Sequence, residues 1–199
     1  NTIREKIEAS ANVAIFLNKN RTITFEGETL QLIYVSGTEL RGDEDFKKNI
    51  FSAVEEMSYS FHHDGKKVFA FRPDLSFFIN GIFLGYAELK SNFTNQTART
   101  NGRNKVTTDY LEAVWEYTRI ANGNDVSQTL RRRMLRPFEK SIHLVTTDIN
   151  DTFVLRNPGQ FFDDAKKGFQ EGTISISSFR PIVDEVFKPL PTVAGEDAD

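Results

Sequence analysis

Asp74, Glu88 and Lys90 interrupt the most apolar stretch of a 199-residue chain, the two aromatic and β-branched runs between Val68 and Lys90. Glu88 and Lys90 are two apart, so on a strand they share a face and lie about 6.7 Å apart along the chain. Asn80-Gly81 between the runs is a strong hairpin signal, and a hairpin returns Asp74, early in the first run, toward Glu88. Two carboxylates that converge without a counter-charge repel, and one is driven to hold its proton. A divalent cation resolves the conflict. Magnesium, with manganese as a substitute, suits the group because it takes hard oxygen ligands, needs only one or two protein carboxylates, and leaves the rest of its octahedron to water and phosphate. Such an ion acidifies a bound water and polarises a phosphoryl oxygen, while a lysine supplies a point charge to the attacking hydroxide and the developing phosphorane. The three side chains suffice for phosphodiester hydrolysis, although a loose Asp, Glu-x-Lys pattern also arises by chance at solvated strand ends.

The elements that must hold them follow from periodicity. Apolar residues at Ile3, Ile7, Ala11, Ala14 and Leu17 predict one helix over Thr2 to Leu17, ahead of a hairpin of Thr22 to Phe25 and Leu30 to Val35. Phe46, Ile50, Val54 and Met57 predict a helix over Asp43 to Glu56, with a short strand around Ser58 to His62 behind it. After the Val68 to Lys90 hairpin, the polar stretch Ser91 to Asn104 reads as a mobile loop. Val106, Tyr110, Leu111, Val114 and Tyr117 form a helical face ending near Asn122-Gly123. Asp125 is a good N-cap for a second helix that Pro137 should stop. Ile142 to Val145 and Thr152 to Leu155 read as strands, and Phe161 to Phe187 as short helices around a weak strand at Thr173 to Ser177. The fold class is α/β, a mixed β-sheet flanked by helices.

Around the hairpin the chain resembles a known family. The run Arg72-Pro73-Asp74-Leu75-Ser76-Phe77-Phe78-Ile79-Asn80-Gly81-Ile82-Phe83-Leu84-Gly85-Tyr86-Ala87-Glu88-Leu89-Lys90 looks like the nuclease core at the N-terminus of type I restriction enzyme R subunits, members of the PD-(D/E)xK nuclease superfamily. The resemblance implies a restriction-endonuclease-like core over about 20–155 within a nuclease domain of 1–190, with 191–199 as an acidic tail or linker. It implies Asp74 and Glu88 as the metal-binding acids, Lys90 as the catalytic lysine, and Mg2+ or Mn2+ as the cofactor. The family usually adds a Gln-x-x-x-Tyr motif beside the DNA. Tyr110 fits the tyrosine, Val106 stands in the glutamine's place, and Arg103, Asn104 or Lys105 are the candidates to replace it. The implied partners are double-stranded DNA and the modification and specificity subunits of a restriction complex. ATP would enter only through a motor domain, whose phosphate loop this chain does not contain.

Composition limits the other classes. No cysteine occurs, which removes disulfides and thiol catalysis, and the Asn-x-Thr sites at Asn20, Asn92, Asn95 and Asn150 read as chance in a cytoplasmic chain. The longest uncharged apolar run, Leu75 to Ala87, is too short to span a bilayer, so no membrane partner is expected. A net charge of -3 restricts nucleic-acid contacts to local clusters. Arg99, Arg103 and Lys105, just past the Glu-x-Lys strand, are the best placed for phosphates. Arg131-Arg132-Arg133 with Arg136 reads as a solvated face, His143 as a core histidine, Trp115 and Tyr117 as core or rim. His62-His63 lacks a third ligand, and Glu55 or Glu56 is a weak candidate for a further acid. Two alternatives stay open: a stand-alone repair or resolvase nuclease of the same superfamily, and a non-catalytic nuclease-like module that binds DNA or a partner.

Chemistry and local geometry conflict at one point. A regular two-residue Asn80-Gly81 turn pairs Ile79 with Ile82, hence Asp74 with Ala87, and turns Asp74 away from Glu88. A shared metal then becomes impossible. The nuclease reading therefore predicts a register irregularity between Arg72 and Glu88, for which Gly85 is an inexpensive position. A regular hairpin with the two carboxylates on opposite faces would remove the catalytic assignment.

Overall fold

In the computed structural model, residues 3–35, 44–121, 128–171 and 188–189 are described. Asn12 splits the N-terminal stripe into α1 (Ile3–Ala9) and α2 (Val13–Lys19), because its side-chain oxygen accepts the Ile15 N–H at 2.9 Å and starts a new helix. A hairpin follows, β1 (Thr22–Phe25) and β2 (Glu28–Gln31), turning at Glu26-Gly27 with φ of 50° and 84°. The predicted helix over Asp43 to Glu56 is corrected: residues 44–46 make one helical turn and Phe51–Glu55 is strand β3. Asn49 ends that turn by donating to the Phe46 carbonyl and pairing with the backbone of Tyr34, and pairing with a neighbouring strand then decides the conformation.

Next come β4 (Tyr59–His63), β5 (Lys66–Phe71), β6 (Leu75–Ile79) and β7 (Ile82–Leu89). The Ser91 to Asn104 stretch is not a loose loop. A 3-10 turn at Asn92–Thr94 and a π-helical turn at Ala98–Gly102 lead into α3 (Arg103–Ala121), and Asp148 fastens the crossover by accepting the Ala98 N–H at 2.7 Å. Pro137 lies inside α4 (Gln128–Glu139) rather than stopping it. Its missing N–H leaves the Arg133 carbonyl without that bond, but the burial of Met134, Leu135 and Phe138 holds the last turns. β8 (His143–Thr147), β9 (Thr152–Arg156), the single helix α5 (Pro158–Gln170) and β10 (Lys188–Pro189) complete the described elements. The expected Asn122-Gly123 helix end, Asp125 cap, 173–177 strand and 191–199 tail lie outside the described residues.

The main sheet has six strands in the order β10-β9-β8-β7-β6-β3, with β7 and β8 parallel and the other neighbours antiparallel, so it is mixed as expected. One face is covered by α3, α4 and α5 over Tyr86, Leu144, Phe153 and Leu155; Tyr110 stacks on Phe162 at 3.9 Å, and Phe71, Phe138 and Tyr86 interlock beside them. Ile79, Ile82 and Leu84 meet Val13, Phe16 and Leu17 in a second core. Each such side chain contributes roughly 1.5–3 kcal/mol on burial.

The β6–β7 hairpin is irregular, as the chemistry demanded. Ile79 pairs with Ile82 and Phe78 with Phe83, but Phe77 pairs with Gly85, Ser76 with Tyr86 and Leu75 with Ala87. Leu84 is the extra residue, and the side-chain alternation breaks there. Leu84 packs in the second core while Tyr86, two positions on, is fully buried in the first. β8 passes close by: a Cβ added at Gly85 would lie 2.0 Å from the His143 carbonyl oxygen. Gly85→Ala should therefore lower stability by roughly 1–3 kcal/mol through forced strand displacement. Urea denaturation monitored by tyrosine and tryptophan fluorescence checks this, and a variant as stable as the parent would refute the tight approach.

Candidate active site

The bulge sets the register that places the acids. Leu75, the first residue of β6, lies opposite Ala87, and just ahead of it the Asp74 carboxylate accepts the Leu89 N–H at 2.6 Å. Glu88 is 2% exposed. Lys90 donates from Nζ to Glu88 Oε2 at 3.2 Å, with its side chain 12% exposed. Glu88 Oε1 is buried and has no hydrogen-bond partner. The strand end that carries these groups is held against β8, where Glu88 pairs with Thr146 and the Lys90 N–H donates to the Thr147 carbonyl at 2.8 Å.

The turn that leads into α3 packs against the strand end. Gly102 packs so closely that an added Cβ would lie 1.6 Å from Thr146 Oγ1 and 3.4 Å from Lys90 Cγ. Three residues on, Lys105 is ion-paired to Asp109, which is 6% exposed. Burial pushes the Glu88 carboxyl above its usual value; the Lys105 ammonium opposes this, nearby Asp74 adds to it, and Lys90 opposes it. Burial raises Asp109 as well, against its bond to Lys105. The Tyr86 phenol, buried and without a hydrogen-bond partner, is raised well above its ordinary value by burial first and then by the charges of Asp109 and Glu88. Asp109 and Tyr86 were not singled out from sequence. Their signals were present: Lys105-x-x-x-Asp109 is an i,i+4 ion pair, and Tyr86 shares the face of Glu88 two residues before it.

The other predicted residues separate. Tyr110 is fully buried and donates to the Phe162 carbonyl at 2.9 Å, so the structure corrects its expected place beside DNA. It belongs to the core-facing stripe with Val106 and Val114, which leaves it no solvent face. Arg103 is also buried, its guanidinium 4.8 Å from the Phe153 ring and its Nε bonded to the Arg99 carbonyl. Arg99 is exposed, 3.6 Å from Asp151. Lys105, half-exposed, pairs with Asp109 one turn along α3. Glu56 turns to Arg72 at 3.5 Å, and among the described residues no three acid or histidine side chains form a group able to share a metal. His143 is exposed, contrary to its reading as a core residue, because it begins β8 on an outward-facing position. Arg136 pairs with Glu8, and Trp115 lies 58% exposed at the rim.

A six-stranded mixed sheet flanked by helices, carrying an acid pair and a lysine at one end of its central strands, is compatible with a restriction-endonuclease-like core. Residues 5–127, more than half of the chain, match the family described as type I restriction enzyme R protein N terminus, and the chain belongs to that family. No curated protein and no solved structure matches it. No described helix is long and apolar enough to cross a membrane.

The raised Glu88 carboxyl has a signed consequence for stability. Its folded value lies above its unfolded one, so its contribution is complete below the ordinary carboxylate range and is lost as pH rises through the folded value. Glu88→Gln, which mimics the protonated form, should raise the melting temperature of the metal-free protein at neutral pH, and the gain should shrink toward acid. Thermal melts between pH 4 and 7, about the range of carboxylate titration, test this; a gain that is independent of pH would contradict it.

Proposed function

We propose that this chain is a metal-dependent DNA endonuclease domain of a type I restriction enzyme R subunit, hydrolysing phosphodiester bonds, with Asp74 and Glu88 as metal ligands and Lys90 as the catalytic lysine. The observation that supports it best is the bulged hairpin, in which the Asp74 carboxylate holds the backbone N–H of Leu89, the residue between Glu88 and Lys90, while Lys90 is bonded to Glu88. The donor set fits a divalent ion. Glu88 Oε1 is a buried oxygen lacking any partner, and two carboxylate residues suit magnesium or manganese, which keep water and phosphate as their other ligands.

When bound, the ion supplies Lewis acidity to the phosphate and an acidified water. The protein's own groups do the rest. Glu88, shielded from solvent and hydrogen-bonded by Lys90, is fixed in one orientation, so little reorganisation is needed during the reaction. Lys90 holds its ammonium beside the carboxylates, where it orients the attacking oxygen and offsets charge growing on the phosphorane. The Leu89 N–H does the same for Asp74 by fixing one of its oxygens. Exposed Arg99 and half-exposed Lys105 provide phosphate contacts from the helix start. Partners are double-stranded DNA and the modification and specificity subunits, in the cytoplasm, with ATP consumed by a separate motor domain.

Magnesium or manganese should raise the melting temperature of the wild-type protein, because a ligand bound only by the folded state stabilises it. Asp74→Ala and Glu88→Ala should each remove that shift, and Glu88→Ala should abolish DNA cleavage by the assembled restriction complex. Cleavage that survives Glu88→Ala would replace this reading with that of a DNA- or partner-binding module.

A further inference from the structure

Two exposed arginines flank the acid site. Arg72 directly follows Phe71, the last residue of β5, whose ring lies 5.7 Å from that of Tyr86, so it arrives on the sheet face that Tyr86 shares with Glu88. Its guanidinium is 3.5 Å from Glu56, and the Glu56 N–H donates to the Asp74 carbonyl at 2.9 Å, which sets the pair beside the first acid. Arg99 is the counterpart across the strand end. Its guanidinium lies 3.6 Å from Asp151 and 5.4 Å from the ring of Phe153, a member of the same core as Tyr86. Ala98 beside it is tied to Asp148, the residue after Thr147, whose carbonyl holds the Lys90 N–H.

Glu56 follows β3 and Asp151 precedes β9, so both ion pairs belong to the sheet end at which β7 delivers Glu88 and Lys90, two strands to either side of it. Four strand spacings separate them by roughly 19 Å. One strand of a duplex carries a charge every 3.4 Å or so of helix axis, and the interval therefore covers about five or six phosphates. Both pairs are also loose. The Arg72 and Arg99 side chains are 61% and 62% exposed, whereas Lys90 is 12% exposed and bonded to Glu88. Long, exposed ion pairs contribute little, so a phosphate can take the place of either carboxylate at small cost.

We infer that Arg72 and Arg99 are paired backbone clamps that hold a DNA duplex across the strand end, one on each side of the phosphate presented to Asp74, Glu88 and Lys90, and that Glu56 and Asp151 are the carboxylates they leave when DNA arrives. The inference deepens the nuclease reading above and rests on it for the role of the phosphate between the clamps.

Anisotropy of a short fluorescent duplex across a salt series, on the purified protein, tests this. Arg72→Gln and Arg99→Gln should each flatten the logarithmic salt slope by about one, whatever the duplex sequence. Arg72→Lys keeps the charge and should keep the slope. Both arginines are exposed, so the melting temperatures of these variants should match wild type. Glu56→Gln frees Arg72 and should tighten binding by about two- to fivefold. Glu44→Gln, which removes an exposed acid paired to Lys47 before the opposite end of β3, should gain less. The additional gain should vanish when Glu56→Gln is combined with Arg72→Gln. An unchanged slope in either arginine variant, or a wild-type protein that binds no duplex at low salt, overturns the clamp; loss of cleavage in Glu88→Ala would still uphold the nuclease reading. Conversely, cleavage that survives Glu88→Ala removes that reading, while slopes that fall by one keep the clamp on a module that binds DNA without cutting it.

Discussion

One residue too many on one strand governs this molecule. Side chains on a strand alternate with period two, so an insertion of a single residue exchanges the faces of everything beyond it. Leu84 is that insertion. Before it, Phe83 leans on the helical core and Ile82 on the smaller one; after it, Tyr86 returns to the helical side, and the Asp74 carboxylate reaches the Leu89 N–H. Gly85 makes the bulge feasible because the neighbouring parallel strand leaves no space for a side chain. The aromatic core and the acid site thus share one cause.

The second constraint is electrostatic. An ionised carboxylate withdrawn from water needs partners for both oxygens, and Glu88 has a partner for only one. Such incompleteness is unfavourable in a resting protein and useful in a site that must receive a cation. The same tension extends to Asp109 and to the phenol of Tyr86, whose ionisations are all opposed by burial first. Groups whose charged forms are disfavoured together are enriched at functional sites, and structural ion-pair networks carry them too.

The hairpin and its irregularity were legible because two independent signals, Asn-Gly turn chemistry and the demand for convergent acids, conflict in a regular register; whether a longer connection, a bulge or a bend at Pro73 resolves the conflict was not, and the structure has the bulge. Other features were not. Phe46, Ile50 and Val54 have helical spacing, but Phe51–Glu55 is drawn into the sheet by pairing with β6, a tertiary contact that periodicity does not contain. The break at Asn12 depends on a single side-chain bond. Tyr110 lies on the expected helix, yet aligning a motif on its tyrosine selected the core-facing stripe, whereas the ion-paired Lys105 and Asp109 each sit one residue before a member of that stripe, Val106 and Tyr110. Residues 91–104 look loose by composition, and only Asp148, some fifty positions away, reveals why they are ordered.

Asn80 is more than a turn residue. Its side chain accepts the Ile50 N–H and donates to the Leu32 carbonyl and to Asn49, all at 2.8–2.9 Å, which ties the hairpin tip to two distant segments. The pairs next to the tip, Ile79 with Ile82 and Phe78 with Phe83, come before the register shift, so Asn80 anchors the regular end of the hairpin to its surroundings and leaves the change of face to the strand beyond it.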